Sequence, residues 1–230
     1  MKKGILLTAT VLGSVLVSTQ VMAGGSANVG VTSNYLWRGT TQTQDEAALQ
    51  AGLDYSADNG LYVGTWASNS KFADTGAEVD LYAGYKKELA NGVSYDVGAI
   101  KYFYPDDNSV EFAEVYGKVA YKGVGAEIDY TVDSNDAADF VQNGDVYYAL
   151  GYTGELKGGW GYGAKVGRYN YKNDLTGDYN HAQLSLTKTT EKAGDFTFAV
   201  DKASKNGAAT AVNGDDDARV SVSWKKSFDF

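Results

Sequence analysis

The sequence predicts an all-β protein: a single antiparallel, up-and-down transmembrane β-barrel of about twelve strands, following an N-terminal signal peptide. Three observations carry that expectation. Residues 218–230 alternate, with Ala218, Val220, Val222, Trp224, Phe228 and Phe230 on one face and Arg219, Ser221, Ser223, Lys225, Ser227 and Asp229 on the other. Only Lys226 interrupts the apolar row. Successive side chains of a strand point to opposite faces, so this stretch reads as a strand with one apolar face. At the other end, Lys2 and Lys3 precede an apolar run over 4–17, and Val21-Met22-Ala23 offers a small-residue cleavage pattern. That run is too short to span a bilayer as a helix and reads as an export signal. The third observation is recurrence: the same alternation returns along the whole chain, separated by connections that are in turn tight and long.

The strands follow in order. Residues 27–38 set Val29, Val31, Tyr35 and Trp37 against Asn28, Thr32, Asn34 and Arg38. Residues 47–55 set Leu49 and Leu53 against Gln50 and Asp54. Over 61–68 the faces compete, Leu61 and Val63 against Tyr62 and Trp66. Residues 78–86 oppose Val79, Leu81 and Tyr85 to Glu78, Asp80, Tyr82 and Lys86. In 93–99, 114–121 and 124–132 the polar rows hold Asp96, then Glu114, Tyr116 and Lys118, then Glu127 and Asp129. The stretches 145–153, 160–167, 181–187 and 196–201 continue the period, with Asp145, Lys165, His181 and Asp201 on polar faces. Residues 218–230 close the series. Tight connections fall at 56–60, 88–92, 121–124, 154–159 and 190–194, and each contains glycine. Longer ones, rich in Asp, Asn, Ser and Thr, fall at 39–46, 69–76, 104–110, 133–143, 172–178 and 203–217. No linker interrupts the series, so the expected organisation is a signal over 1–23 and one barrel domain over 24–230.

Composition narrows the possibilities. There is no cysteine, which removes disulfides and thiolate metal sites. The chain carries a net charge of −9, and losing Lys2 and Lys3 with the signal makes it more acidic, which argues against nucleic acid as a partner. A mean hydropathy of −0.33 looks soluble, but lipid-facing residues of a barrel are diluted one-to-one by inward-facing ones. A soluble sandwich or lipocalin-like barrel would also alternate. Two features favour the membrane. Tyr35, Trp37, Tyr55, Tyr85, Tyr121, Tyr130, Tyr152, Trp160, Tyr162, Trp224, Phe228 and Phe230 sit near the ends of apolar rows, where interfacial girdles belong. Gly52, Gly84, Gly98, Gly125, Gly151, Gly161, Gly163 and Gly167 gather on the polar face, where they let a narrow wall curve and leave space inside.

The polar faces give the candidate lining: Arg38, Asp54, Glu78, Asp80, Lys86, Asp96, Glu114, Lys118, Glu127, Asp129, Asp145, Lys165 and Arg219, joined by Asp201 and Lys225. The acidic excess predicts a polar conduit for small polar solutes that favours cations. The alternative is that opposite charges pair across the interior and fill it, leaving the acidic loops as the working surface. The runs Asp215-Asp216-Asp217 and Asp133-Ser134-Asn135-Asp136 lack the spacing and closing glutamate of a calcium loop and read as solvated loops. His181, the single histidine, shares a face with Gln183 and Ser185; with no further triad signature, a hydrolase is the weakest reading. Neither a catalytic residue, a cofactor nor a metal site is expected.

Four segments carry a family resemblance: Ser33-Asn34-Tyr35-Leu36-Trp37-Arg38-Gly39-Thr40, Gln50-Ala51-Gly52-Leu53-Asp54-Tyr55, the stretch 60–69, and Glu78-Val79-Asp80-Leu81-Tyr82-Ala83-Gly84-Tyr85. Together they resemble the TorF family of porins, small outer-membrane barrels of Gram-negative bacteria. The terminal phenylalanine likewise resembles the last strand of such barrels, which their assembly machinery reads. The resemblance implies an outer-membrane location, contact with lipid and lipopolysaccharide, and a porin-like role.

Overall fold

In the computed structural model the alternating rows become a wall whose apolar face points outward. The structure describes residues 23–135, 141–172, 177–204, 209 and 212–230. The export signal expected over 1–23 therefore lies outside the described residues except for Ala23, as do parts of the loops expected at 133–143, 172–178 and 203–217.

The strands are β1 (Gly24–Thr32), β2 (Leu36–Trp37), β3 (Thr40–Thr41), β4 (Ala48–Ser56), β5 (Leu61–Asn69), β6 (Ala77–Glu88) and β7 (Ser94–Phe103). They continue as β8 (Phe112–Tyr121), β9 (Val124–Ser134), β10 (Val146–Leu156), β11 (Trp160–Asn170), β12 (Tyr179–Thr190), β13 (Gly194–Ala203) and β14 (Arg219–Asp229). β1 and β4 to β14 form a closed antiparallel barrel of twelve strands, each bonded to its neighbour in the chain, while β2 and β3 form a separate hairpin. β1 closes the ring by pairing with β4 on one side and β14 on the other, in a register that places Ala27 opposite Phe228 and Val31 opposite Trp224. Closure leaves no open edge whose backbone groups would face lipid unsatisfied.

The outward row is apolar on every strand: Leu49, Leu53, Val63, Leu81, Val97, Ile128, Leu150, Val166, Leu184 and Val222 are all exposed. The ambiguous third stretch resolves the same way, with Leu61 and Val63 outside and Trp66 buried inside. Tyr55, Tyr121, Tyr152, Trp160, Tyr162 and Phe228 lie on the exterior near the rim of tight turns, the position of an interfacial girdle. Both ends of the described chain reach this rim, where Gly25 and Phe230 exchange backbone hydrogen bonds of 3.1 and 2.9 Å. The turns there use glycine where the chain must reverse: Gly60 and Gly92 take φ of +96° and +81°. Asn59 and Asn91 ahead of them accept from the backbone N–H of Leu61 and Val93. The opposite rim carries the long loops.

One stretch departs from the alternating reading. Residues 27–38 were expected as one strand with Tyr35 and Trp37 facing lipid, but β1 ends at Thr32 and Tyr35 is only 4% exposed, inside the barrel. The Thr32 hydroxyl donates to the carbonyl of Asn34 at 2.8 Å and turns the chain inward. Tyr35 then gains a carboxylate for its hydroxyl and the Trp66 ring for its face, partners lipid does not offer. Several inward glycines also differ from expectation, since tyrosine side chains fill the space beside Gly84 and Gly98, whereas beside Gly161 it stays open. The Tyr82 ring lies over Gly64 and the Tyr62 hydroxyl end over Gly84, so a Cβ at either position would overlap the tyrosine.

Candidate functional site: the barrel lumen

The loop between β1 and β4 folds back into the barrel and forms a stopper. Its centre is the β2–β3 hairpin, with Leu36 opposite Thr41 and Trp37 opposite Thr40. The two tip residues, Arg38 and Gly39, both have positive φ (49° and 83°), the signature of a two-residue hairpin turn. The tip brings Arg38 against the inner wall. Its guanidinium donates twice to Glu114, at 2.7 and 2.8 Å, and stands 3.4 Å from Asp129. It also lies over the rings of Trp37 and Tyr147 at 4.3 and 4.2 Å. Burial of such a charge is tolerated because the planar fork meets a carboxylate edge-on and the aromatic faces take the remainder. Trp37 spreads the hairpin's apolar contact over Tyr102, Phe112 and Tyr169, with centroid separations of 6.0–6.1 Å.

Polar contacts fasten the stopper from above. Asn213 accepts from the Thr41 backbone N–H at 3.0 Å and donates to the Gly39 carbonyl at 3.2 Å. Arg219, at the start of β14, donates to Asp45, Asp215 and the Asn213 carbonyl. The Asp217 backbone N–H and Arg219 together hold the Asp215 carboxyl below the usual aspartate range. Lys71 pairs with Glu46 at 2.5 Å.

The remaining lining residues expected from sequence are distributed as follows. Glu78 accepts from Tyr35 and Tyr104 at 2.8 and 3.0 Å, and Asp80, 4% exposed, shares its inward face. Asp54 accepts from Tyr82 and Asp96 from Tyr62, each at 2.6 Å. Tyr62 also meets the Tyr116 hydroxyl. Lys118 pairs with Glu127 at 2.7 Å, and Lys86 stands over the Tyr62 ring. Lys165 is buried on the inner face, opposite Gln183 in register. Asp145 has a different task from the others: it accepts from the backbone N–H of Gln142 and Lys172 and organises two long loops. The structure thus brings Arg38, Glu114 and Asp129 together, whereas Asp145 and Arg219 serve the loop rim. His181 hydrogen-bonds Tyr147 at 2.8 Å. Ser185 lies four residues along the same strand, about 13 Å away, so the pair cannot act as base and nucleophile.

Sequence reasoning missed the role of the inward tyrosines. Tyr62, Tyr82, Tyr102 and Tyr104 each donate to a carboxylate of the wall. The signal was present in the parity: Tyr82 shares its row with Glu78 and Asp80. Asp195 was missed too, although it shares parity with Thr197 and Asp201.

The interior divides into two halves. Strands β6 to β11 carry most of the charged and tyrosine side chains and the Arg38 contacts, and this side is packed. Against β12 to β14, β1, β4 and β5 lies a cavity of about 80 Å³, lined by side chains such as Asn28, Gln50, Gln183, Thr197, Asp201 and Ser223 and roofed by Asn34, Tyr35 and Leu36. A second cavity of about 440 Å³ opens at the tight-turn rim. Asp195 and Lys225 line both, so the two adjoin as the upper and lower parts of a vestibule beneath the stopper.

Solved structures share this architecture. The KdgM porin superposes with a TM-score of 0.60 at 10% identity, covering 88% of this chain and 99% of that one. A second structure, the KdgM porin in complex with disordered oligogalacturonate, gives 0.58 at 8% identity, covering 89% and 99%. The NanC porin gives 0.56 at 12% identity, covering 90% and 99%. At such identities the likeness establishes the fold. No curated protein matches the sequence. A family model does match, over residues 21–228, and the chain belongs to that family, Gcw_chp, described as a bacterial protein of unknown function.

Proposed function

We propose that this protein is an outer-membrane channel of the porin type, a passive route for small polar solutes that favours cations and is gated by its own first loop. The observation that carries the reading is the vestibule: a polar cavity opening at the tight-turn rim, inside a closed barrel with an apolar exterior, and ending at a hairpin rather than at the wall. The fold shared with KdgM and NanC porins and the resemblance to the TorF family of porins support the same reading. In it, residues 1–23 are removed on export and the last strand is read by the barrel-assembly machinery. The apolar band meets outer-membrane lipid, and the long acidic loops face the lipopolysaccharide side. Cation preference follows from carboxylates on the route, Asp195 and Asp201 among them, which lower the energy of a passing cation and raise that of an anion.

Planar-bilayer recording on purified, refolded protein tests this. The native barrel should open rarely. A variant with residues 36–41 replaced by a short Gly-Ser linker should conduct steadily, with a reversal potential on the potassium side in a KCl gradient. Absence of channel events from both proteins overturns the reading. The buried Arg38–Glu114 pair favours a second reading, a permanently closed barrel that works through its loops, and that same silent result is what it predicts.

A further inference from the structure

Beneath the stopper, we infer that the vestibule holds a binding site for a small, uncharged polyhydroxylated solute, centred on Trp66 and Asp201. The inference rests on the channel reading above and adds the class of solute to it. Two residues lining the cavity each carry a buried polar atom with no hydrogen-bond partner among the described residues: the donor Trp66 Nε1 and the acceptor Asp201 Oδ2. Their residues are 5% and 2% exposed. A buried polar atom left unsatisfied is costly, and a donor and an acceptor on the walls of one cavity together favour a ligand that can both accept and donate. The other Asp201 oxygen is already held by Gln183 at 2.9 Å, which fixes the carboxylate's orientation.

The rest of the lining matches the same chemistry. The amides of Asn28 and Gln50 and the hydroxyls of Thr197 and Ser221 each donate and accept, as the hydroxyls of a polyol do. Asp195 and Asp201 on the lining stand against Lys225 and, one strand beyond Gln183 on the same inner face, Lys165, so the charges balance and an uncharged solute loses less on entry than an anionic sugar. A volume of about 80 Å³ is the share of about three waters, so this space takes one hydroxyl-bearing edge of such a solute and the remainder lies in the wider space toward the rim. Asn34, Tyr35 and Leu36 of the stopper form the roof, so an occupant touches the gate from below.

The test uses the folded full barrel in a detergent without a sugar head group. The indole N–H resonances of the four tryptophans are recorded by NMR, and Trp66→Phe assigns the Trp66 signal. D-Glucose should shift that signal saturably, and D-glucuronate, the same frame with a carboxylate, should bind roughly ten-fold more weakly. Asp201→Asn should weaken glucose binding and narrow the gap between the two sugars. No saturable shift with glucose, equal affinity for glucuronate, or unchanged glucose binding in Asp201→Asn (read at Trp66) and in Trp66→Phe (read by calorimetry) would each overturn the proposal. Conductance is recorded in parallel. A barrel that conducts but binds no glucose refutes the site and keeps the channel; one that binds but never conducts refutes the channel and keeps the site.

Discussion

On the channel reading, Arg38 decides the state of the lumen. Its guanidinium is buried against Glu114 and Asp129, and removing one member of a buried ion pair leaves the others uncompensated, at a cost of about 3–5 kcal/mol. Arg38→Ala should therefore release the hairpin and raise conductance well above the native level in bilayer recordings. Arg38→Lys should fall between, because an ammonium keeps the charge but loses the paired donation. At Gly64 the opposite logic applies: a side chain there collides with the Tyr82 ring, so Gly64→Val should lower the unfolding midpoint in urea, and Tyr82→Phe, which leaves Asp54 without its donor, should cost about 1–3 kcal/mol. The inward parity of Asp54, Glu78, Glu114 and Asp129 was legible in the sequence because a strand offers only two faces. The partner of Arg38 was not, since nothing in a two-residue period says which carboxylate, 76 residues away, it will meet.

Single elements show where alternation stops being informative. Tyr35 and Trp37 extend the period of β1 without a break, yet the chain has already turned into the lumen. An aromatic row reads the same whether lipid or the packed interior receives it. The tight turns, by contrast, were legible from Asn-Gly and related pairs because their backbone demands are local. The loop after β7 offers a pH test. Asp107 accepts from the backbone N–H and hydroxyl of Ser109, at 2.9 and 2.6 Å, and these bonds hold its carboxyl below the usual aspartate range. A depressed carboxyl contributes its stabilisation above the unfolded-state pKa and loses it as pH falls through the folded value. The protection of the Ser109 amide, its exchange relative to the free-chain rate at each pH, should therefore hold across the ordinary aspartate range and fall only below it, whereas Asp107→Ala should show little protection throughout.

For the whole molecule, sequence gave architecture and left the interior open. Twelve alternating rows with alternating loop lengths specify a closed barrel, because only closure satisfies every edge. Whether the interior is hollow depends on how loops and side chains from distant strands pack together, which no local pattern encodes. The division into a packed and a hollow half assigns selectivity to the hollow one. Asp195→Asn with Asp201→Asn should reduce the preference for potassium over chloride in reversal-potential measurements, whereas Glu114→Gln should act mainly through the stopper.

The closing pair of strands also sets an order of events. Every strand of the ring except one meets its next neighbour in the chain, and those pairings form as local hairpins; β1 meets β14 only across the length of the molecule. Long-range pairing is the slow step in such topologies. The stopper's contacts with Glu114 and Asn213 span 76 and 174 residues, both less than the separation of Ala27 from Phe228 across the seam. On the channel reading, sequence separation therefore lets the hairpin dock before the seam pairs, so the ring would seal around its own stopper and a new molecule would be shut from the start.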